Sequence, residues 1–371
     1  MDRARAIDIL TATLGIPTAP MLEHRAIVHV KSEIERLRAS IMQDRFGNII
    51  ARRPGDSKHR LVFVAHMDHP GFEALDSDGS NVTAIFRGGV QEEYFEGANV
   101  RFFCGDEEVV ASIIDFTVNE STSRVDRVKL RAEGDVVPGS LGMWDLESCE
   151  VTNGLVRGRA IDDLAGCGLI LALFEALNEE EIDREVLGVF TRAEEIGFIG
   201  ATGLANSGKL PPSLPIISLE MSKTMPGAQI GLGPVIRLGD RSMVFDGALV
   251  EYMRQVASSM KDERESFKWQ QKLMDGGSCE ATAFSAFGFR SAGVVLPLGN
   301  YHNQPSGGNG GSQGLCPEEI SSSDYCDALA FLVEMVRRFE GLNAVDTRRR
   351  RAMLERSRGD LAELETRYCS V

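Results

Sequence analysis

The chain has 371 residues, 43% apolar and 26% charged, enough for roughly two to three domains and a large buried core. Its 40 basic and 55 acidic residues leave a formal charge of −15, which argues against nucleic acid and anionic membrane as main partners. No apolar run approaches the ~18 residues of a membrane span. The amphipathic start "MDRARAIDILTATLG" also lacks the apolar centre of a signal peptide, so a cytoplasmic protein is expected. The seven cysteines are scattered, odd in number and free of any C-x-x-C pair. That usage fits reduced thiols better than a disulfide framework or a Cys-type zinc site.

From His24 to Ile41, Ile27, Val30, Ile34, Leu37 and Ile41 recur every three or four residues and predict a helix with one buried face. "IMQDRFGNIIAR" and "LVFVA" then read as short strands, the first holding a turn at Phe46-Gly47-Asn48. Residues 72–154 lose all helical period. Segments such as "NVTAIFRGG", "EVVASIIDFTV" and "SCEVTNGLVRGR" alternate with Gly, Asp and Asn, which reads as a small all-β inserted domain. From residue 155 strand and helix alternate again: "LAGCGLILALFEAL" and "GALVEYMRQVASSM" are helical, "EVLGVFT", "PIISLE" and "SAGVVLPLG" strand-like.

The expected fold is therefore α/β, a three-layer α/β/α domain built on a largely parallel, mixed sheet. It comprises residues 1–71 and 155–345 and is interrupted by the β insertion. "PSGGNGGSQG" (Pro305 to Gly314) reads as a flexible loop. Residues 346–371 form a C-terminal helical extension. Its Arg348 to Arg351 run reads as a solvated face, and Leu354, Leu361 and Leu364 predict a helix packed on the body or on a neighbouring subunit.

Open α/β sheets bind ligands beyond the carboxyl ends of their strands. Metal-type residues fall there in one apolar run after another: His66 and Asp68 after "LVFVA", Glu194 and Glu195 after "VLGVFTRA", Glu220 after "PIISL", and His302 after "GVVLPLGNY". Asp162 and Asp163 open a helix. Each has a plain explanation taken singly, since acids cap helix starts and paired glutamates usually face solvent. Two histidines and four carboxylates on one sheet edge are instead what a pair of metal ions needs. In His66-x-Asp68 an extended chain sets both side chains on the same side, making Asp68 a natural orienter of His66.

With these residues in place, the sequence resembles the co-catalytic metallo-aminopeptidases, most closely the tetrahedral aminopeptidase family with its deblocking and glutamyl aminopeptidases. The resemblance rests on "DRFGNIIA", "HMDHPGF", "GRAIDDLAGCG", "TRAEEIGFIGA", "PGAQIGLGPVI" and "YHN", in the family's order and over nearly the whole chain. It implies hydrolysis of the N-terminal peptide bond of peptides with two divalent ions per subunit, zinc or else cobalt or manganese. Asp162 would bridge them, His66 and Glu220 would complete one ion, Glu195 and His302 the other, and Glu194 would be the general base. The Asp162–Asp163 peptide would be cis. The resemblance also implies a homo-oligomer, from dimer up to dodecamer.

Departures from the family pattern are Glu220 for Asp, Leu164 for Arg, His69 for an acid, and "GGSCEATAF" where a G-T-D-A segment is usual. Cys279, Glu280 and His69 are therefore candidate substrate-binding residues, although a core thiol is favoured for Cys279 and a turn role for His69. The alternatives are a carboxypeptidase or N-acyl amino-acid deacylase of a related dinuclear group, and a non-catalytic binding or assembly homologue. The position of the β insertion and the complete ligand set favour the aminopeptidase.

Overall fold

Leu61–His66, Val186–Thr191 and Ser291–Leu298 are buried at every residue, as strands covered on both faces must be. In the computed structural model, which describes residues 1–306 and 314–368, they lie at the centre of an eight-stranded sheet. Its order is Ser40–Gln43, Ile49–Arg53, Val186–Thr191, Leu61–His66, Ile216–Lys223, Ser291–Leu298, Val235–Asp240, Gln270–Met274. The four strands from Val186–Thr191 to Ser291–Leu298 run parallel, and antiparallel pairs flank them. The mixed sheet expected from sequence is present.

Strand alternation sorts the apolar residues into two cores. Leu61, Phe63 and Ala65 pack with the helices Ile161–Glu179, Gly247–Glu263 and Ser322–Arg338. Val62 and Val64 pack on the other face with Ile199–Asn206 and Glu280–Ala286. These are the two helical layers of the sandwich. Ile161–Glu179 is apolar on all sides because it lies between the sheet and the helices Arg3–Leu14 and Ser322–Arg338.

The inserted unit is a closed barrel of Gly71–Asp78, Asn81–Arg87, Arg124–Ala132, Glu107–Asn119, Asn99–Cys104 and Leu141–Trp144. Phe72, Phe86, Phe95 and Trp144 fill it, with ring centroids 4.8 Å apart for Phe72–Trp144 and 4.9 Å for Phe86–Phe95. The barrel strands end at Trp144 rather than near residue 154. Cys149–Thr152, the "SCEVT" stretch assigned from sequence to the insertion, pairs instead with Leu155–Gly158, which pairs with Glu318–Ser321. A local β pattern carries no information about which sheet receives the strand.

The C-terminal helix, Leu342–Tyr368, starts before the expected boundary because Leu342 and Val345 still anchor in the core. Residues 307–313 of the glycine-rich stretch lie outside the described residues. The six described cysteines are unpaired. Among the described residues no helix is long and apolar enough to cross a membrane.

Candidate active site

Strand register brings the candidate residues to one level. Thr191 stands opposite His66 and Ser218 opposite Val64, so Glu220, two residues on, draws level with His66. Beyond Thr191 the chain turns through a left-handed Ala193. The Asp68 carboxylate holds that turn by accepting the main-chain N–H of Glu194 at 2.9 Å and of Glu195 at 3.1 Å. His66 Nδ1 lies 3.1 Å from the Asp68 carbonyl oxygen and 3.6 Å from its carboxylate. Two acceptors on that side call for Nδ1–H, which turns the Nε2 lone pair to the other side carboxylates.

His66 Nε2 lies 3.4 Å from Asp162, 3.7 Å from Glu220 and 3.9 Å from Glu194. His302 Nε2 lies 3.2 Å from Glu195 and 3.7 Å from the other oxygen of Asp162. Potential ligand atoms gather within 4.8 Å of one another in three groups: His66–Asp162–Glu220, Asp162–Glu195–His302 and His66–Glu194–Glu195. Asp162 belongs to the first two and joins them. Among the described residues, His66 Nε2, His302 Nε2, Asp162 Oδ1, Glu195 Oε1 and Glu220 Oε2 are buried with no hydrogen-bond partner.

The electrostatics have the same sense. Burial drives the Asp162 carboxyl up to about 7 and Glu194 well above the usual range. Burial also lowers His302, but the Glu195 charge overrides it and holds the imidazole at about 9. Buried imidazole and carboxylate ligands that lack partners and crowd one another fit bound divalent cations, which would satisfy the orphaned atoms and cancel the repulsion.

Other buried groups hold the candidate ligands in place. Asp163, joined to Asp162 by a cis peptide, accepts the His66 N–H at 3.1 Å and the Gly166 N–H at 3.2 Å. A Cβ at position 166 would sit 2.3 Å from that carboxylate, which is why "DDLAG" ends in glycine. Glu318 accepts main-chain N–H groups from Asp162 at 3.0 Å and from His302 at 2.8 Å. His302 has a left-handed backbone, and its Nδ1 lies 2.8 Å from the Gly89 carbonyl of the barrel. The insertion thus touches the site directly.

Three candidates fall outside the cleft. His69 is fully buried, with Nδ1 2.5 Å from the Asp162 carbonyl and Nε2 3.1 Å from Asn303 Oδ1, and burial pushes it down to about 4. Cys279 is a core thiol. Glu280 is buried beneath the sheet end, where the Thr191 hydroxyl donates to it. As substrate-binding residues these three are corrected, since the groups that face the cleft are others.

The cleft has a volume of about 840 Å3 and lies between the sheet edge and the barrel. Phe198, Met221, Arg237, Tyr301 and, from the barrel, Arg124 line it beside the ligand cluster. The Arg237 guanidinium donates to the Gly277 carbonyl at 2.9 Å, and among the described residues its Nε is unpartnered and no carboxylate lies within ion-pair distance. Sequence reasoning missed Arg237, Tyr301 and Glu318. Glu318 lies beyond the glycine-rich stretch in "CPEEI", where nothing distinguishes it from a surface acid.

A mixed α/β/α sandwich with this His and carboxylate cluster over its parallel strand ends defines a peptidase-type hydrolase. Residues 47–306, a span holding every candidate ligand, match the M42 glutamyl aminopeptidase family, and the chain belongs to that family. M42 peptidases are metal-dependent, and the acidic and histidine groups above can bind a metal. The fold is that of several solved structures. The TET aminopeptidase from the marine sediment archaeon Thaumarchaeota archaeon SCGC AB-539-E09 aligns with a TM-score of 0.75 at 18% identity, covering 93% of this chain and 99% of that one. Aminopeptidase APDkam598 from the archaeon Desulfurococcus kamchatkensis aligns at 0.74 and 18%, covering 93% and 98%. The Pyrococcus horikoshii TET1 peptidase, which can assemble into a tetrahedron or a large octahedral shell, aligns at 0.72 and 22%, covering 90% and 99%.

Proposed function

We propose that this chain is a dinuclear metal-dependent aminopeptidase that releases the N-terminal residue of peptides. The observation that carries the proposal is Asp162, whose two oxygens face two separate ligand groups. His66, Asp162 and Glu220 would hold one cation, and Asp162, Glu195 and His302 the other. Imidazole nitrogen with carboxylate oxygen suits zinc, with cobalt or manganese as alternatives. When bound, the cations supply Lewis acidity, which acidifies water and polarises the scissile carbonyl.

The remaining work falls to the chain. Glu194 lines the cleft beside the cluster and is positioned by the Asp68 contact to its own N–H. Its raised proton affinity suits a general base that takes a proton from the attacking water and returns it to the leaving amine. Asp68 acts by orientation, holding His66 and the 194–195 turn together. Arg237, buried in the cleft without a carboxylate partner among the described residues, favours substrates whose N-terminal side chain is acidic. A cytoplasmic homo-oligomer acting on peptides accords with the family and with the assembling TET relative.

A panel of aminoacyl amides, N-acyl amino acids and C-terminally free peptides tests the reading. Free-amino substrates should be cleaved, with glutamyl and aspartyl amides ahead of lysyl. Cleavage of N-acylated substrates alone would point to the deacylase alternative.

A further inference from the structure

The helix Leu342–Tyr368 leaves the body after Val345, which is 1% exposed, and continues for residues 346–368, roughly 34 Å at 1.5 Å per residue. Over that length every side chain is exposed or only partly covered, and a Cβ at Gly359 would meet nothing within 4 Å. A lone helix in water gains little from propensity, and burial of an apolar face is what normally holds one. This helix has such a face, in open solvent. Leu354, Leu361 and Tyr368 recur every seven residues and Leu364 follows Leu361 by three, the a and d positions of a heptad. They are 62%, 44%, 86% and 64% exposed for Leu354, Leu361, Tyr368 and Leu364.

Charge indicates what covers the stripe. Residues 346–358 carry six arginines and two acids, whereas residues 359–368 carry three acids and one arginine. Each half therefore complements the other half of an identical helix laid antiparallel. In heptad terms Arg351 and Glu365 flank the stripe at e. An antiparallel pair that seats Leu354 on Leu364 brings Arg351 to Glu365 across the seam at both ends, with Arg358 and Asp360 meeting their own copies at its centre. Parallel pairing in register would instead stack Arg350 on Arg350 and turn Asp360 towards Glu365, like charge on like. The intrahelical contacts Arg351–Glu355 and Arg367–Glu363 are exposed pairs that a second helix can share or replace. We infer that this helix is an association surface whose occupant is the same helix of a second copy of the chain, in antiparallel two-stranded pairing.

Light scattering after size exclusion tests this on the full-length protein across a wide concentration range. Leu361→Asp should lower the molar mass by about half, the loss of one isologous contact, with metal content and far-UV circular dichroism of the body kept. Arg351→Glu and Glu365→Arg should each weaken association, and combining them should restore it. A monomeric wild type, variants with wild-type mass, or a double variant no better than the singles would each overturn the inference.

Discussion

Glu318 accepts the main-chain N–H of Asp162 at 3.0 Å, so the residue shared by both ligand groups is held from behind by a buried carboxylate. The second oxygen of Glu318 accepts the His302 N–H at 2.8 Å. One side chain thus sets the spacing between Asp162 and His302, the proposed shared and terminal ligands. Glutamine retains one acceptor and turns an NH2 group towards the other N–H. Glu318→Gln should weaken metal binding by about 10–100-fold, as loss of a ligand's supporting contact does. Titrating metal into chelated protein measures this. A variant that loses thermal stability at unchanged metal affinity would show that Glu318 supports only the fold.

Glu194 carries the proposed proton transfer and no assigned metal bond. Glu194→Gln should retain its metal while kcat falls by about 10³-fold, the usual scale for a lost general base. Metal analysis beside steady-state kinetics decides it, and near-wild-type turnover would remove Glu194 from the mechanism.

Glu195 and His302 should behave oppositely. Alanine at either leaves two of the three residues of its group, Asp162 and the other one, so the chain should bind about one ion fewer. Both variants should lose activity because they lose metal, and excess zinc should rescue them in part. Full metal content in His302→Ala would contradict the ligand assignment.

The sandwich was legible because period-two burial and all-apolar strands mark a covered sheet, as in "LVFVA" and "VLGVFT". That His66, Glu194, Glu195, Glu220 and His302 come together was legible because each ends or follows such a strand. Glu318, Gly89 and Arg237 were not. Each acts through a contact more than 100 residues distant in sequence or through a main-chain carbonyl, as in Glu318 to Asp162 and Gly89 to His302. Burial misled in the other direction for Glu280 and His69, which adjoin the motifs yet face inward. The end of the barrel was misplaced because Cys149–Thr152 finds its partners at Leu155–Gly158.

Glu280 gives a pH signature. Burial pushes its carboxyl up to about 8, against ~4.3 for an exposed glutamate. The folded state therefore binds this proton more tightly than the unfolded one. The stabilising effect is full below about pH 4 and is lost as pH rises through about 8. Glu280→Gln keeps an acceptor for Thr191 and removes the titration. In chelated protein the variant should gain Tm over the wild type on going from pH 5 to pH 8. An equal Tm difference at both values would show that Glu280 is not held protonated.

The claim on which the rest depends is that two cations, joined through Asp162, make this chain an aminopeptidase. Metal-free protein titrated with zinc, cobalt or manganese, with bound metal and glutamyl-amide hydrolysis followed together, tests it most directly. Activity should rise with metal and saturate near two ions per chain, with Asp162→Asn binding neither tightly. Full hydrolysis after complete chelation, or saturation of both activity and binding at a single ion, would contradict it.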